Sequence, residues 1–246
     1  MESKLALVTG TSRGIGPAVA EELLARGWEV LGLARGRAAV EHERYRHLAV
    51  DLADTESVEG LFGELAERGL LDERERIGIV NNAGVLDIEP VHELDLSNLV
   101  RSAAVNLCVP AWLVGWALRN APAAAALRIV DLSSGAAQGP YPAWGAYCAT
   151  KAALRMFDAV VALELEEFEL HAGRDVAVFT YAPGVVATAM QEQIRGSDPS
   201  RFPRRERFIA LHEEGRLADP AGPAAEIAEQ LESDPDQRLT ESRYGG

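Results

Sequence analysis

The chain has 246 residues, 48% apolar and 25% charged, an ordinary composition for a globular protein with one sizeable core. Its formal net charge of -14 argues against nucleic acid as a partner, because phosphate binding needs a basic stripe, and against an anionic membrane surface. Two cysteines, Cys108 and Cys148, imply no disulfide framework, and the five histidines (His42, His47, His92, His171, His212) fall at no metal-ligand spacing, so no metal is expected. The opening MESKLALVTG has no leader pattern, and the alanine-rich region 111–127 is broken by Arg119, Asn120 and Pro122. Neither a signal peptide nor a membrane span is expected, and the expected location is the cytoplasm.

In chain order, an apolar run predicts a strand over 5–8 and then a helix over 16–26. A second strand is expected over 30–33 and a third over 47–50, followed by an amphipathic helix over 55–67. A fourth strand over 77–81 leads into one helical region from about 94 to 118. A fifth strand covers 127–132, a long helix 147–168 and a sixth strand 176–181. Buried-type strands alternating with helices, without hairpin signals, predict one α/β domain: a doubly wound parallel sheet of about seven strands with helices on both faces. In such a sheet the ligand lies beyond the carboxyl ends of the strands. The segment 185–219, with Gly196, Pro199, Pro203 and a charged run, overhangs that crevice and is read as a substrate lid.

The residues after each strand carry the chemistry. Gly10, Ser12, Arg13, Gly14, Ile15 and Gly16 form a glycine-rich turn between a strand and a helix, where backbone N–H groups approach a pyrophosphate. After the second strand stands Arg35, where NAD-binding folds usually place an acid. Arg13 and Arg35 together suit a ribose 2′-phosphate, which favours NADP(H) over NAD(H). Asp51 and Leu52 follow the third strand; they suit an adenine, and Asp51 equally suits a helix cap. Asn82, Ala83 and Gly84 follow the fourth strand and allow close backbone approach to a ribose. Tyr147 and Lys151 lie four apart on one helix face, with Ser134 at the end of the fifth strand. A nearby ammonium lowers a phenol's pKa toward neutrality. Of 24 basic residues only Lys4 and Lys151 are lysine, so a lysine at 151 points to a need for a compact ammonium.

Together, TGTSRGIG, NNAG, Ser134, YCATK and Ala182-Pro183-Gly184 resemble the short-chain dehydrogenase/reductase family over nearly the whole chain. The 13-residue step from Ser134 to Tyr147 matches the family's spacing and selects Ser134 over Ser133. The resemblance implies a Rossmann-type fold and a homodimer or homotetramer built on the helices near 94–118 and 147–168. It implies Tyr147 as proton donor, Lys151 on the nicotinamide ribose, and Asn106 supporting a water relay. It also implies Pro183, Gly184, Val186 and Thr188 at the nicotinamide end and transfer of the pro-S hydride. The segments 181–184, 188–191 and 211–219, with Trp144 before Tyr147, are similar to sepiapterin reductases and microbial benzil reductases. Glu241 is only a partial counterpart of the pterin-holding aspartate of animal sepiapterin reductases, which puts reduction of a vicinal diketone ahead. Trp144 and Met190 are expected to shape an apolar pocket for a small-molecule carbonyl substrate, and Trp144 equally suits ordinary core or lid packing. The competing readings are an NAD-dependent alcohol dehydrogenase of the same fold and a non-catalytic nucleotide-sensing regulator.

Overall fold

Strand-forming runs rich in Val, Ile and Leu build β1 (Lys4–Thr9), β2 (Glu29–Ala34), β4 (Arg76–Asn81), β5 (Ala126–Leu132) and β6 (Val176–Ala182), and the more polar β3 (Tyr45–Ala49) and β7 (Leu239–Arg243) form the two edges of the same sheet. The computed structural model describes residues 2–169 and 172–245; His171 lies outside them. Among the described residues the sheet has seven strands in the order β3-β2-β1-β4-β5-β6-β7, and each neighbouring pair is parallel. The expected doubly wound α/β sheet is therefore present. β3 begins two residues earlier than its apolar run, because Tyr45 pairs with Val30 although it is only half-buried at the sheet edge.

The helices are α1 (Ile15–Ala25), α2 (Thr55–Glu67), α3 (Leu96–Ala103), α4 (Val109–Asn120), α5 (Gly145–Glu167), α6 (Ala189–Arg195), α7 (Arg205–Glu213) and α8 (Ala221–Glu232). Side chains from β1, β4, β5 and β6 pack on one face with α2, α4 and α5, through Phe62, Leu113, Trp116 and Val161. On the other face they pack with α1 and α8, through Val19, Leu23, Ile227 and Leu231. Burial of such apolar side chains stabilises by about 1.5–3 kcal/mol each.

The single helix expected near 94–118 is interrupted. A π-helical turn over Ala104–Cys108 separates α3 from α4. Pro110 explains the break: it has no N–H to give the carbonyl of Asn106, four residues earlier. The helical run Leu96–Asn120 is also long and apolar enough to cross a membrane by length and composition, which corrects the sequence expectation. Half of its most apolar window is buried inside the protein, so core packing accounts for part of its apolar character, while Leu96 and Val100 remain exposed.

The strand order reverses between β1 and β4, and a crevice opens there beyond their carboxyl ends. The segment 185–219 leaves and returns at a narrow neck, where Ala187 N donates to Ala218 O at 2.9 Å and Ala218 N to Val185 O at 2.9 Å.

Candidate active site

A cleft of about 610 Å³ runs along this crevice. Gly10, Ser12, Arg13, Gly14 and Ile15 line its wall, Gly14 being the N-cap of α1 with a φ of 72° and no side-chain cap. The N-terminal N–H groups of α1 are thus left to a ligand. A side chain at Gly10 would sit 2.8 Å from Asn82 Nδ2 and 2.9 Å from Ala83 Cα, and one at Gly16 would strike the Gly10 carbonyl. Gly16 is therefore behind the wall, holding α1 against β1. Asn82 locks the same corner, its Nδ2 donating to Thr9 O at 2.8 Å and so tying β4 to β1. Such a cradle of backbone N–H groups fits a dinucleotide's phosphates.

At one end of the cleft stand Arg13, Arg35, Asp51 and Leu52. Arg35 Nη1 lies 3.8 Å from Asp51 Oδ2, both side chains about half-exposed. A pair so open to water contributes about 0–1 kcal/mol, so Arg35 is available to another anion. The cap of α2 is Asp54, which accepts from Ser57 N at 3.1 Å, so the capping alternative for Asp51 falls away.

At the floor, Ser134 from the loop after β5 meets Tyr147 and Lys151 from α5. Burial holds the Tyr147 phenol above its ordinary pKa, and the Ser134 hydroxyl, hydrogen-bonded to it, pulls the other way. The expected lowering by Lys151 is not the dominant effect. Lys151 Nζ donates to Leu132 O at 2.6 Å and lies 5.9 Å from the Tyr147 ring centre. Lys151 itself is pulled down to about 8 by burial, which Asp131 and Asp158 partly oppose.

Asn106 does not reach the cleft wall. It is fully buried in the π-helical turn, accepting from Val85 N at 2.9 Å and donating to Val85 O at 2.9 Å. It thereby anchors the loop after Gly84. Ala83, Gly84, Pro183, Gly184, Val186, Thr188 and Met190 all line the cleft.

Trp144 takes the packing role that was the alternative to a substrate contact. It is 5% exposed, stacked between Tyr141 at 4.6 Å and Phe202 at 5.2 Å, and edge-on to Tyr147 at 5.9 Å. The aromatic cluster buries it between α5 and the 185–219 segment, so it supports the pocket from behind without lining it. Sequence reasoning missed Leu86, Asp87, Arg101, Gln191 and Gln193, all on the cleft wall. Closeness in sequence to NNAG and Thr188 was the signal for Leu86, Asp87, Gln191 and Gln193, and Arg101 on α3 had none. Gln193 Nε2 donates to Leu86 O at 2.8 Å across the cleft, and Arg201 pairs with Glu93 at 2.8 Å, so α6 and the turn before α7 are latched to the loop after β4. Glu241 borders a separate cavity behind Ser134 and is held by Arg155 Nε and Nη2 at 3.0 and 2.9 Å.

A glycine cradle at the first strand–helix turn, with serine, tyrosine and lysine converging at the cleft floor, defines a class of nicotinamide-dependent oxidoreductases. The model of the short chain dehydrogenase family matches residues 4–198, and the chain belongs to that family, in the branch that contains benzil and sepiapterin reductases. It is 36% identical over 231 residues to a benzil reductase ((S)-benzoin forming) of Bacillus subtilis (strain 168), covering 93% of each chain. It is 31% identical to the sepiapterin reductase of Xenopus laevis, covering 94% of this chain and 92% of that one. A short chain dehydrogenase/reductase from Saccharomyces cerevisiae superposes with a TM-score of 0.81 at 29% identity, over 99% of this chain and 97% of the other.

Proposed function

We propose that the protein is an NADPH-dependent carbonyl reductase acting on a small ketone, with a vicinal diketone of the benzil type as its preferred substrate class. The observation that carries this reading is the buried, protonated Tyr147 beside Ser134, facing a cleft whose opposite wall is the open N-terminus of α1. The glycine turn, Asn82–Gly84 and Pro183–Thr188 would hold the dinucleotide, with Arg13 and Arg35 toward its 2′-phosphate. When bound, the cofactor supplies the hydride that reduces the carbonyl carbon. Ser134 holds the carbonyl oxygen by a hydrogen bond. Tyr147 donates its phenolic proton to that oxygen as negative charge develops there, which is where stabilisation lowers the barrier. Lys151 orients the ribose and, through a relay anchored near Asn106, helps return the proton. Leu86 and Met190 present apolar surface to the substrate, with Trp144 and Phe202 behind them.

Two features support the finer points. Glu241 is engaged by Arg155, which favours a diketone over a pterin. Leu96 and Val100 on α3, with Met156, Val160 and Leu163 on α5, form an exposed apolar face that supports a homodimer or homotetramer. The near absence of cysteine fits the cytoplasm. The deciding experiment compares initial rates of NADPH and NADH oxidation with benzil, a small aliphatic dione and sepiapterin. Fast NADPH-dependent turnover of benzil, with little on sepiapterin, is expected; a clear NADH preference would overturn the arginine assignment.

A further inference from the structure

On the α5 side of the sheet the inward row is apolar through Ile77 and Ile79 on β4, Leu127 and Ile129 on β5, and Val176 and Val178 on β6. One step further along the strands it turns polar. Asn81, Asp131 and Thr180 are laterally paired in register across β4, β5 and β6. Asp158 meets this row from α5, two helical turns after Lys151 and on the same helix face. Asp131 and Asp158 are both 0% exposed. Asn81 Nδ2 donates to Asp131 Oδ1 at 2.6 Å, and Thr180 Oγ1 donates to Asp158 Oδ2 at 2.6 Å. The other two oxygens, Asp131 Oδ2 and Asp158 Oδ1, have no donor, although the two carboxyls touch at hydrogen-bond range.

Two ionised carboxylates so placed repel each other where water screens little. A single proton between the two donorless oxygens removes the repulsion and satisfies both acceptors. The pair then carries one negative charge. The cation beside it is Lys151, 3% exposed and bonded to the carbonyl of Leu132, the residue after Asp131. The other charged groups around α5 are engaged elsewhere. Arg155 on α5 pairs with Glu241 from β7, and Arg101 on α3 pairs with Asp87. From α4 only the Pro110 carbonyl approaches Asn81, at 3.5 Å, while Cys108 of the π-helical turn is exposed. Tyr147, one turn before Lys151, is an un-ionised phenol.

We infer that Asp131 and Asp158 share one proton and act as a positioning pair, whose single negative charge keeps Lys151 an ammonium at the cleft floor. The catalytic use of that ammonium rests on the function proposed above; the charge state of the triad does not. Burial alone opposes the ammonium, and the two carboxyls are the groups that hold it up. The pair thus sets the alkaline limit up to which Lys151 works.

The test exploits the chain's two lysines. Protein labelled with carbon-13 at lysine Cε gives two resonances, and Lys4, paired with Glu232 at 2.9 Å on the far side of the molecule, serves as the control. Wild-type Lys151 is expected to titrate at about 8. In Asp131→Asn and in Asp158→Asn, the new amide replaces the shared proton and leaves one carboxylate, so Lys151 moves by less than about half a pH unit. The double variant loses the charge, and Lys151 titrates at least about one pH unit lower. The alkaline limb of kcat/KM for benzil reduction follows the same pattern. A shift in either single variant as large as in the double means two charges, and no shift in the double means none; each result overturns the inference. If the double variant does not fold, infrared difference spectra decide. Asp158→Asn should abolish a protonated-carboxyl stretch present in the wild type, and its persistence, or its absence from the wild type, overturns the inference. The titration uses neither cofactor nor substrate, so loss of the reductase reading would show separately as absent turnover.

Discussion

Tyr147 illustrates how much a single side chain's surroundings decide. Only 8% exposed, its phenol is kept protonated by burial, and a protonated phenol in contact with Ser134 is an acid waiting for a developing oxyanion. Tyr147→Phe removes the proton and little volume. Turnover is expected to fall by about 10²–10⁴-fold, with nucleotide binding by fluorescence nearly unchanged. At the other end of the cleft, Arg35 is held by its loose contact with Asp51 and, among the described residues, by no other ion pair. A charge-assisted hydrogen bond to phosphate is worth about 1.5–3 kcal/mol, so Arg35→Ala should raise KM for NADPH by about 10–100-fold and leave KM for NADH alone. Equal effects on both cofactors would show that Arg35 does not read the 2′-phosphate.

Among the elements, the β1–α1 turn tolerates least. The space a Cβ would need at Gly16 is already filled by the Gly10 carbonyl and Asn82. Gly16→Ala must push α1 off the sheet, so it should abolish NADPH binding and lower Tm; a variant that binds normally would show the corner to be pliable. α6 is positioned differently, through long side chains. Gln193 reaches the Leu86 carbonyl, and Arg201 reaches Glu93. A neutral hydrogen bond of this kind contributes about 0.5–1.5 kcal/mol. Gln193→Ala should therefore raise KM for benzil several-fold, with Tm within a degree or two, if closure of the 185–219 segment over substrate is part of the cycle. The aromatic stack of Trp144 with Tyr141 and Phe202 ties the same segment to the start of α5, the helix that carries Tyr147.

For the molecule as a whole, the exposed side chains of Leu96, Val100, Val160 and Leu163 form a face without a partner among the described residues. Isolated exposed apolar side chains are common, but a run of them along two helices is the surface that the proposed self-association would bury. Val160→Glu with Leu163→Arg should halve the mass found by sedimentation equilibrium, or reduce it further. An unchanged mass would locate self-association elsewhere or show a monomer.

What the chain determines by itself is what lies close along it. The strand–glycine–helix turn, NNAG, and tyrosine and lysine four apart on a helix are local patterns whose covalent spacing already places their atoms, so the class of sheet and most of the cleft wall were legible. Trp144 stood open between pocket and core, and Leu86, Asp87, Gln191 and Gln193 were missed, because which way a side chain turns depends on what packs against it from distant segments. The polar row of Asn81, Asp131 and Thr180 was beyond sequence reading for the same reason. It exists only because three parallel strands stand in register, and α5 brings Asp158 and Lys151 down onto it. Tertiary packing alone withdraws those groups from water, and with water gone their charges must be settled among themselves.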